Sequence, residues 1–377
     1  MTFNPPFCPN KDCPTHHEST TSGQTWYLRK GLRPTKTIGP VPRFQCRVCL
    51  KGFSQRTFDI DYWTHRRVDY PHILSLLVGG SGLRQSCRTL GVSLRLLANR
   101  HARLARQALA LHSRCMQDFS LREPVAFDGF ESFAYSQYYP NNLNLLVTGT
   151  SQLVLGLNAA LLRRKGRMTE AQKRRRKVLE SLYRAPAGDI YRTSQELLGY
   201  GCHLAFGSRH LPFHLHTDEK KDYEWALERL PVYGAWKDAG VLVHHRTSSK
   251  APRTLANPLF PVNYLDRQLR KDLAEHVRET VRFARRIEQS LERTVIHLVH
   301  HNYFKSFRSR KPGVYSTHAA QAGMDEGMVL ELRQASLRDR AMGWREDLED
   351  WQLKLWRRST RVPIHPVTPL ARHLMSA

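Results

Sequence analysis

Acidic charge is scarce in this 377-residue chain: 33 Asp and Glu stand against 59 Lys and Arg, a formal net charge of +26. That deficit suits a polyanionic partner, nucleic acid first. No uninterrupted apolar run approaches membrane-spanning length, so no membrane partner is expected. The start, Met1-Thr2-Phe3-Asn4-Pro5-Pro6, lacks the basic and apolar regions of a signal peptide, and the expected location is the cytoplasm, on the nucleoid. No internal repeat is visible. Cysteine is sparse, with seven in all; four fall in one pattern, and Cys87, Cys115 and Cys202 are scattered. Such usage fits a reducing compartment and a bound metal rather than disulfides. Aromatics are not lacking: at 10% aromatic and 41% hydrophobic, the chain is folded and carries a basic surface, unlike a histone-like tail. Its length allows two or three domains and one sizeable core.

Cys8-x4-Cys13 and Cys46-x2-Cys49 are spaced as two chelating pairs, and four soft ligands satisfy tetrahedral zinc. Short strands at 26–28 and 43–45, with a turn at Gly39-Pro40, complete a zinc-ribbon pattern over residues 1–62. His16 and His17 are alternatives to Cys13 as a ligand. With all four positions filled by protein, the zinc is expected to be structural. The basic, aromatic segment 51–58 either lies on phosphates or closes the ribbon.

Residues 63–122 read as helical. Ile73, Leu74 and Leu77 begin an apolar face, and Gly79-Gly80-Ser81-Gly82 breaks it. A short helix over 83–89, a turn at Gly91-Val92-Ser93 and a helix over 94–109 capped by Ser93 form a helix-turn-helix. Early positions of the second helix face the major groove in such motifs, here Arg95, Asn99 and Arg100. Arg84 and Arg88 on the first helix join them as candidate DNA contacts. Residues 1–122 hold nineteen Lys or Arg against six Asp or Glu, which strengthens the assignment.

From 123 onward the pattern changes to strands. Val125-Ala126-Phe127 reads as a buried strand with Asp128 at its end, and 143–150 with 153–157 reads as a hairpin beside it. His214-Leu215-His216-Thr217-Asp218 brings a second acid at the end of an apolar-rich approach from Cys202. A helix over 219–230 and a strand over 241–245 follow. Between the two acids, nine of the fifteen residues 163–177 are basic, Arg174, Arg175, Arg176 and Lys177 among them; such density favours phosphate contact. Arg246, Lys250 and Arg253 lie in a second basic segment. Asn263 is a candidate N-cap for a helix over 264–286, placing Asp266 in its first turn with Arg270 on the same face. Glu279 is an alternative third acid. It lies thirteen residues past Asp266, roughly 220° around a helix, so the two cannot easily share one metal. A helix over 291–301 follows. Residues 324–357, with Trp344, Trp351 and Trp356, read as an amphipathic helix that either contacts a partner or caps the fold. The tail from 362 reads as loose.

The chain resembles the transposases of bacterial insertion sequences within the DDE, RNase H-like superfamily. The resemblance rests on the Cys8/Cys13/Cys46/Cys49 ribbon followed by Phe53, the helix-turn-helix, and Phe127-Asp128-Gly129-Phe130-Glu131-Ser132-Phe133. It continues in Asn257-Pro258-Leu259-Phe260-Pro261-Val262-Asn263 and in His276-Val277-Arg278-Glu279-Thr280-Val281-Arg282-Phe283. It implies an α/β fold: a zinc ribbon, a helix-turn-helix domain, an RNase H-like catalytic core over 123–310 and a helical extension over 311–377. It further implies that two Mg2+ ions are held by Asp128, Asp218 and a third acid for DNA cleavage and strand transfer. Asp266 stands where the superfamily usually has Glu. Glu279, with Arg286 seven residues on, has a basic spacing frequent among these enzymes. The implied partners are duplex DNA, as terminal inverted repeats and target, and further copies of the chain on that DNA. Two rival functions remain open from the residues alone: a transcriptional regulator with the same N-terminal half, and a zinc-ribbon RNA-processing protein.

Overall fold

The computed structural model describes residues 3–17, 25–36, 38–278, 280–308 and 316–362. Strands β1 (Tyr27–Arg33), β2 (Val41–Cys46) and β3 (Gly52–Ser54) form an antiparallel sheet in chain order. Its small core is aromatic. Phe53 stacks on both Trp26 and Phe44, with ring centroids 5.7 Å apart in each pair. Segment 51–58 closes the ribbon: β3 pairs with β2, and a 3-10 turn at Gln55–Phe58 sets Phe58 edge-on to Phe53 at 5.9 Å.

Helices α1 (Tyr70–Val78), α2 (Leu83–Leu90) and α3 (Leu94–Met116) follow. Gly91 takes a left-handed backbone, φ 60°, to end α2, a conformation glycine adopts without penalty. Ser93 then accepts from the Leu96 N–H and opens α3. The two helices and the turn between them therefore fall where the sequence puts them. Helix α3 runs past 109 because its apolar face continues through Leu111, Cys115 and Met116, all buried.

The second sheet uses β4 (Val125–Phe133), β5 (Pro140–Thr148) and β6 (Val154–Leu161). Then come α4 (Glu170–Leu182), α5 (Asp189–Gly207), β7 (Phe213–Asp218), α6 (Lys221–Glu228), α7 (Tyr233–Asp238) and β8 (Leu242–Thr247). Helices α8 (Phe260–Asp272), α9 (Ile287–Tyr303), α10 (His318–Gln321), α11 (Glu326–Ser336) and α12 (Asp350–Trp356) complete a mixed α/β protein of twelve α-helices and two sheets among the described residues. The strand order is β6-β5-β4-β7-β8; β4, β5 and β6 run antiparallel, and β7 and β8 join in parallel. Alternation along β4 sends its side chains to two faces. Phe127 meets Tyr223 of α6 at 4.9 Å, and Phe130 on the other face lies under Arg270 of α8 at 4.6 Å.

One hydrophobic cluster runs from Ile60 through α1, α3, the five-stranded sheet and α9 to Trp351, and a separate small one fills the ribbon. The expected boundary near 122 thus falls inside a shared core. Residues 324–357 are not one helix. They split into α11 and α12 and cap the molecule: the Gln107 side chain accepts from the Ala341 N–H at 2.7 Å, and Arg114 pairs with Glu346 at 2.6 Å. The expected tail beyond 362 lies outside the described residues.

Candidate metal centres

The ribbon brings its four cysteines together. Cys8 Sγ lies 3.5 Å from Cys49 Sγ and Cys13 Sγ 3.7 Å from Cys46 Sγ, and all four sulfurs lie within 4.8 Å of one another. Thiolates at about 2.3 Å around tetrahedral zinc stand roughly 3.8 Å apart, so these residues fit such an ion. Cys8, Cys13 and Cys46 are almost fully buried. The Thr15 hydroxyl lies 3.1 Å from Cys13 Sγ and 3.5 Å from Cys46 Sγ, within reach of developing thiolate charge. His16 does not replace Cys13. Its Nδ1 lies 2.5 Å from the Cys8 carbonyl oxygen, and its ring stands edge-on to Phe7. His17 is exposed.

The second candidate is made of carboxylates. Asp128 is the fourth residue of β4, not its last, because β5 keeps pairing with β4 through Phe133↔Pro140. On the other side β7 pairs with β4 only to Phe127↔Thr217, so Asp128 stands where the two strands part. Asp218 is the last residue of β7, next in register.

Asp266 lies in the second turn of α8 rather than the first turn of a helix over 264–286. The helix starts earlier, at Phe260, because Pro261 is tolerated in a first turn where its missing N–H has no partner to lose. Asn263 is inside the helix, and its side-chain amide donates to the Leu259 carbonyl at 2.9 Å. The helix stops at Asp272, and the chain then buries Glu275 and His276 instead. Glu275 Oε1 accepts from Arg293 Nε at 2.5 Å, and His276 Nδ1 lies 3.0 Å from Ser132 Oγ. Glu279 lies outside the described residues, and the helical spacing used to relate it to Asp266 does not apply.

Asp128 Oδ1 accepts from the Gly129 N–H at 2.7 Å and from the Tyr223 hydroxyl at 3.2 Å. Both bonds end on one oxygen, leaving Oδ2 for a ligand. Burial pushes the Asp128 carboxyl up to about 6; the Asp218 charge adds to the rise, against the Gly129 and Tyr223 hydrogen bonds and Lys220. Burial pushes Asp266 up to about 7, with the Asp128 charge second, against Arg270 and Arg253. Asp128 is therefore the neighbour that both other acids share. Asp218 Oδ1 accepts from the Lys220 N–H at 2.9 Å. Among the described residues the four cysteines alone form a group of three or more side chains placed to share one metal ion, and the three acids do not. The far end of β4 (Glu131, Phe133) and Lys220 line a cleft of about 720 Å³ together with Arg163, Arg164, Lys165, Asp189 and Asp222.

Tyr223 and Lys220 join the site only in the fold. The signal was present in Asp218-Glu219-Lys220-Lys221-Asp222-Tyr223, an aromatic in the first turn of the helix after a strand-end acid. The basic candidates divide. Arg84, Arg88, Arg95, Asn99, Arg174, Arg175, Lys177, Arg246, Lys250 and Arg253 are exposed. Arg176 turns toward the Arg164 carbonyl at 3.2 Å and Glu180 at 3.6 Å. Arg100 cannot meet a base edge as placed. It is 3% exposed, donates to the Arg66 carbonyl at 2.8 Å and lies 3.8 Å from Asp61. No helix among the described residues is long and apolar enough to cross a membrane. No protein-family model matches the chain, and no curated protein matches it.

Proposed function

We propose that this chain is a metal-dependent DNA-cleaving and strand-transferring enzyme, a transposase of the DDE, RNase H-like superfamily. The observation that carries the reading is the grouping of Asp128, Asp218 and Asp266, drawn from two adjacent parallel strands and a later helix, with Asp128 acting electrostatically on Asp266 and acted on by Asp218. The strand order supports it, with β4 central, an antiparallel meander on one side and parallel strands on the other.

Asp128 feels the Asp218 charge and Asp266 feels that of Asp128; such repulsion is costly unless a cation offsets it, and Mg2+ takes oxygen ligands. Bound at these acids, a divalent pair would activate the attacking oxygen and neutralise the leaving one at phosphorus. The chain's own part is to hold the acids. Gly129 and Tyr223 fix Asp128 through Oδ1, the Lys220 N–H fixes Asp218, and Arg270 and Arg253 balance Asp266. In this reading the cysteine site is structural zinc, the α2–α3 pair holds terminal repeats, and α4 with the 246–253 segment grips flanking or target backbone. Copies of the chain assemble on the DNA.

The test is cleavage of supercoiled plasmid bearing the DNA that flanks the reading frame, with Mg2+ or Mn2+. Wild type should cut, and Asp128→Asn and Asp218→Asn should bind that DNA without cutting. Binding with no metal-dependent cutting by wild type would move the chain to the transcriptional-regulator class.

A further inference from the structure

Tyr62 and Trp63 are adjacent in sequence and opposite in environment. The Tyr62 ring is covered by Arg340 at 3.5 Å and Arg103 at 4.1 Å. Trp63 is 91% exposed, more than any other large apolar side chain described, and its φ is 54°. Bulky residues avoid that left-handed region, and an indole in water forgoes its burial.

The loop that holds it is fastened at several points. Arg103 donates to the Ile60 carbonyl at 2.8 Å, and Arg100 donates to the Arg66 carbonyl at 2.8 Å, which ties both ends of the loop along α3. Between them the Thr64 hydroxyl donates to the Asp61 carbonyl at 2.8 Å, and the buried Asp61 carboxylate accepts from the Tyr70 hydroxyl at 3.1 Å. Arg66 reaches the turn between α2 and α3 and donates to the Gly91 carbonyl at 3.2 Å. The indole is thus displayed from a fixed frame beside the helix pair. His65, Arg66 and Arg67 flank it and are exposed, as is Arg95 at the start of α3. Of the nearby acids, Asp59 lies 3.7 Å from Arg67 and Asp69 caps α1.

We infer that Trp63 is an aromatic wedge that inserts against a base step of the duplex gripped by α2 and α3, with His65, Arg66 and Arg67 on the adjacent phosphates. Apolar side chains used this way partly unstack a step and stack on the exposed base face. The inference rests on the chain being a DNA-binding protein, and the experiment separates the two claims.

The full chain is titrated with a mixed-sequence 40-base-pair duplex at low salt while tryptophan emission is followed, in wild type, Trp63→Phe and Trp63→Gly. Glycine suits the left-handed backbone, so its thermal midpoint should stay at or above the wild-type value. Wild-type emission should be quenched on saturation, and the quench should be absent in Trp63→Phe. Trp63→Gly should bind at least fivefold more weakly, with Trp63→Phe recovering most of the loss. Duplex binding with equal quenching in wild type and Trp63→Phe, or equal affinity in all three, would overturn the wedge and leave DNA binding standing. No binding by wild type would overturn both.

Discussion

The two clusters of like side chains in this chain are built on opposite terms. The thiols of Cys8, Cys13, Cys46 and Cys49 lie within 4.8 Å of one another, and three of them are closed off from solvent. Their pocket is small, aromatic and separate from the main core. The carboxylates of Asp128, Asp218 and Asp266 are spread across two strands and a helix, with Glu131 of the same strand as Asp128 and Lys220 after Asp218 lining a cleft of mixed charge, and the hydrogen bonds of Asp128 and Asp218 leave ligand oxygens over. A closed set of ligands can only hold an ion. A set that protein side chains do not close off has room for a substrate between ion and protein. The difference also lies in what holds each cluster in place. The thiols are placed for a metal to hold them, whereas elements of the main hydrophobic core hold the acids.

That contrast predicts its largest effect at the ribbon. Zinc binding is worth about 10–16 kcal/mol to a small domain of this kind. Cys46→Ser should therefore lose the zinc and the structure of roughly the first 60 residues, while the main core melts as before. Metal analysis and calorimetry on one sample check this, and purified wild type without zinc would break the comparison at its stronger end. At the other cluster, Asp128→Asn should leave folding and DNA binding intact. It should lower cleavage on the order of a thousandfold, about 4 kcal/mol of barrier.

A smaller effect comes from protonation. Asp128 and Asp266 are raised to about 6 and about 7, so the metal-free folded chain holds these protons more tightly than the unfolded chain does. Their contribution to stability is present below pH about 4 and is lost as pH rises to about 7. Asp128→Asn should then raise the melting temperature at pH 8 and leave it unchanged near pH 3.5. Mg2+ should raise it at pH 8 in wild type, and much less in the variant. Smallest is Tyr223→Phe, which frees Asp128 Oδ1 from its longer hydrogen bond. Loss of a partner that orients a metal ligand should raise the Mg2+ needed for half-maximal cleavage about tenfold, with DNA affinity unchanged.

The parts legible in the sequence are those fixed by short-range chemistry. The ribbon follows from cysteine spacing, α2 and α3 from Gly91 and Ser93, and the strand-end placement of Asp218 from the apolar residues before it. The parts misread depend on contacts far apart in the chain. Arg100 looked like a groove residue because it lies one turn into α3; Asp61 and the Arg66 carbonyl, on a separate loop, draw it inward. The helix through Asp266 looked longer than it is because 273–286 has helical composition. The buried pair Glu275–Arg293 and the contact of His276 with Ser132 draw the chain out of the helix at Asp272. Tyr223 follows a strand-end acid visibly in the sequence, but its partner does not, since that contact exists only once α6 folds back over β4.

The most direct measurement pairs zinc content with metal-dependent DNA cutting in wild type, Cys46→Ser and Asp128→Asn. Asp128→Asn should keep one zinc per chain and lose cutting in Mg2+, and Cys46→Ser should lose zinc while its main core keeps the wild-type melting transition. Undiminished cutting by Asp128→Asn would contradict the account.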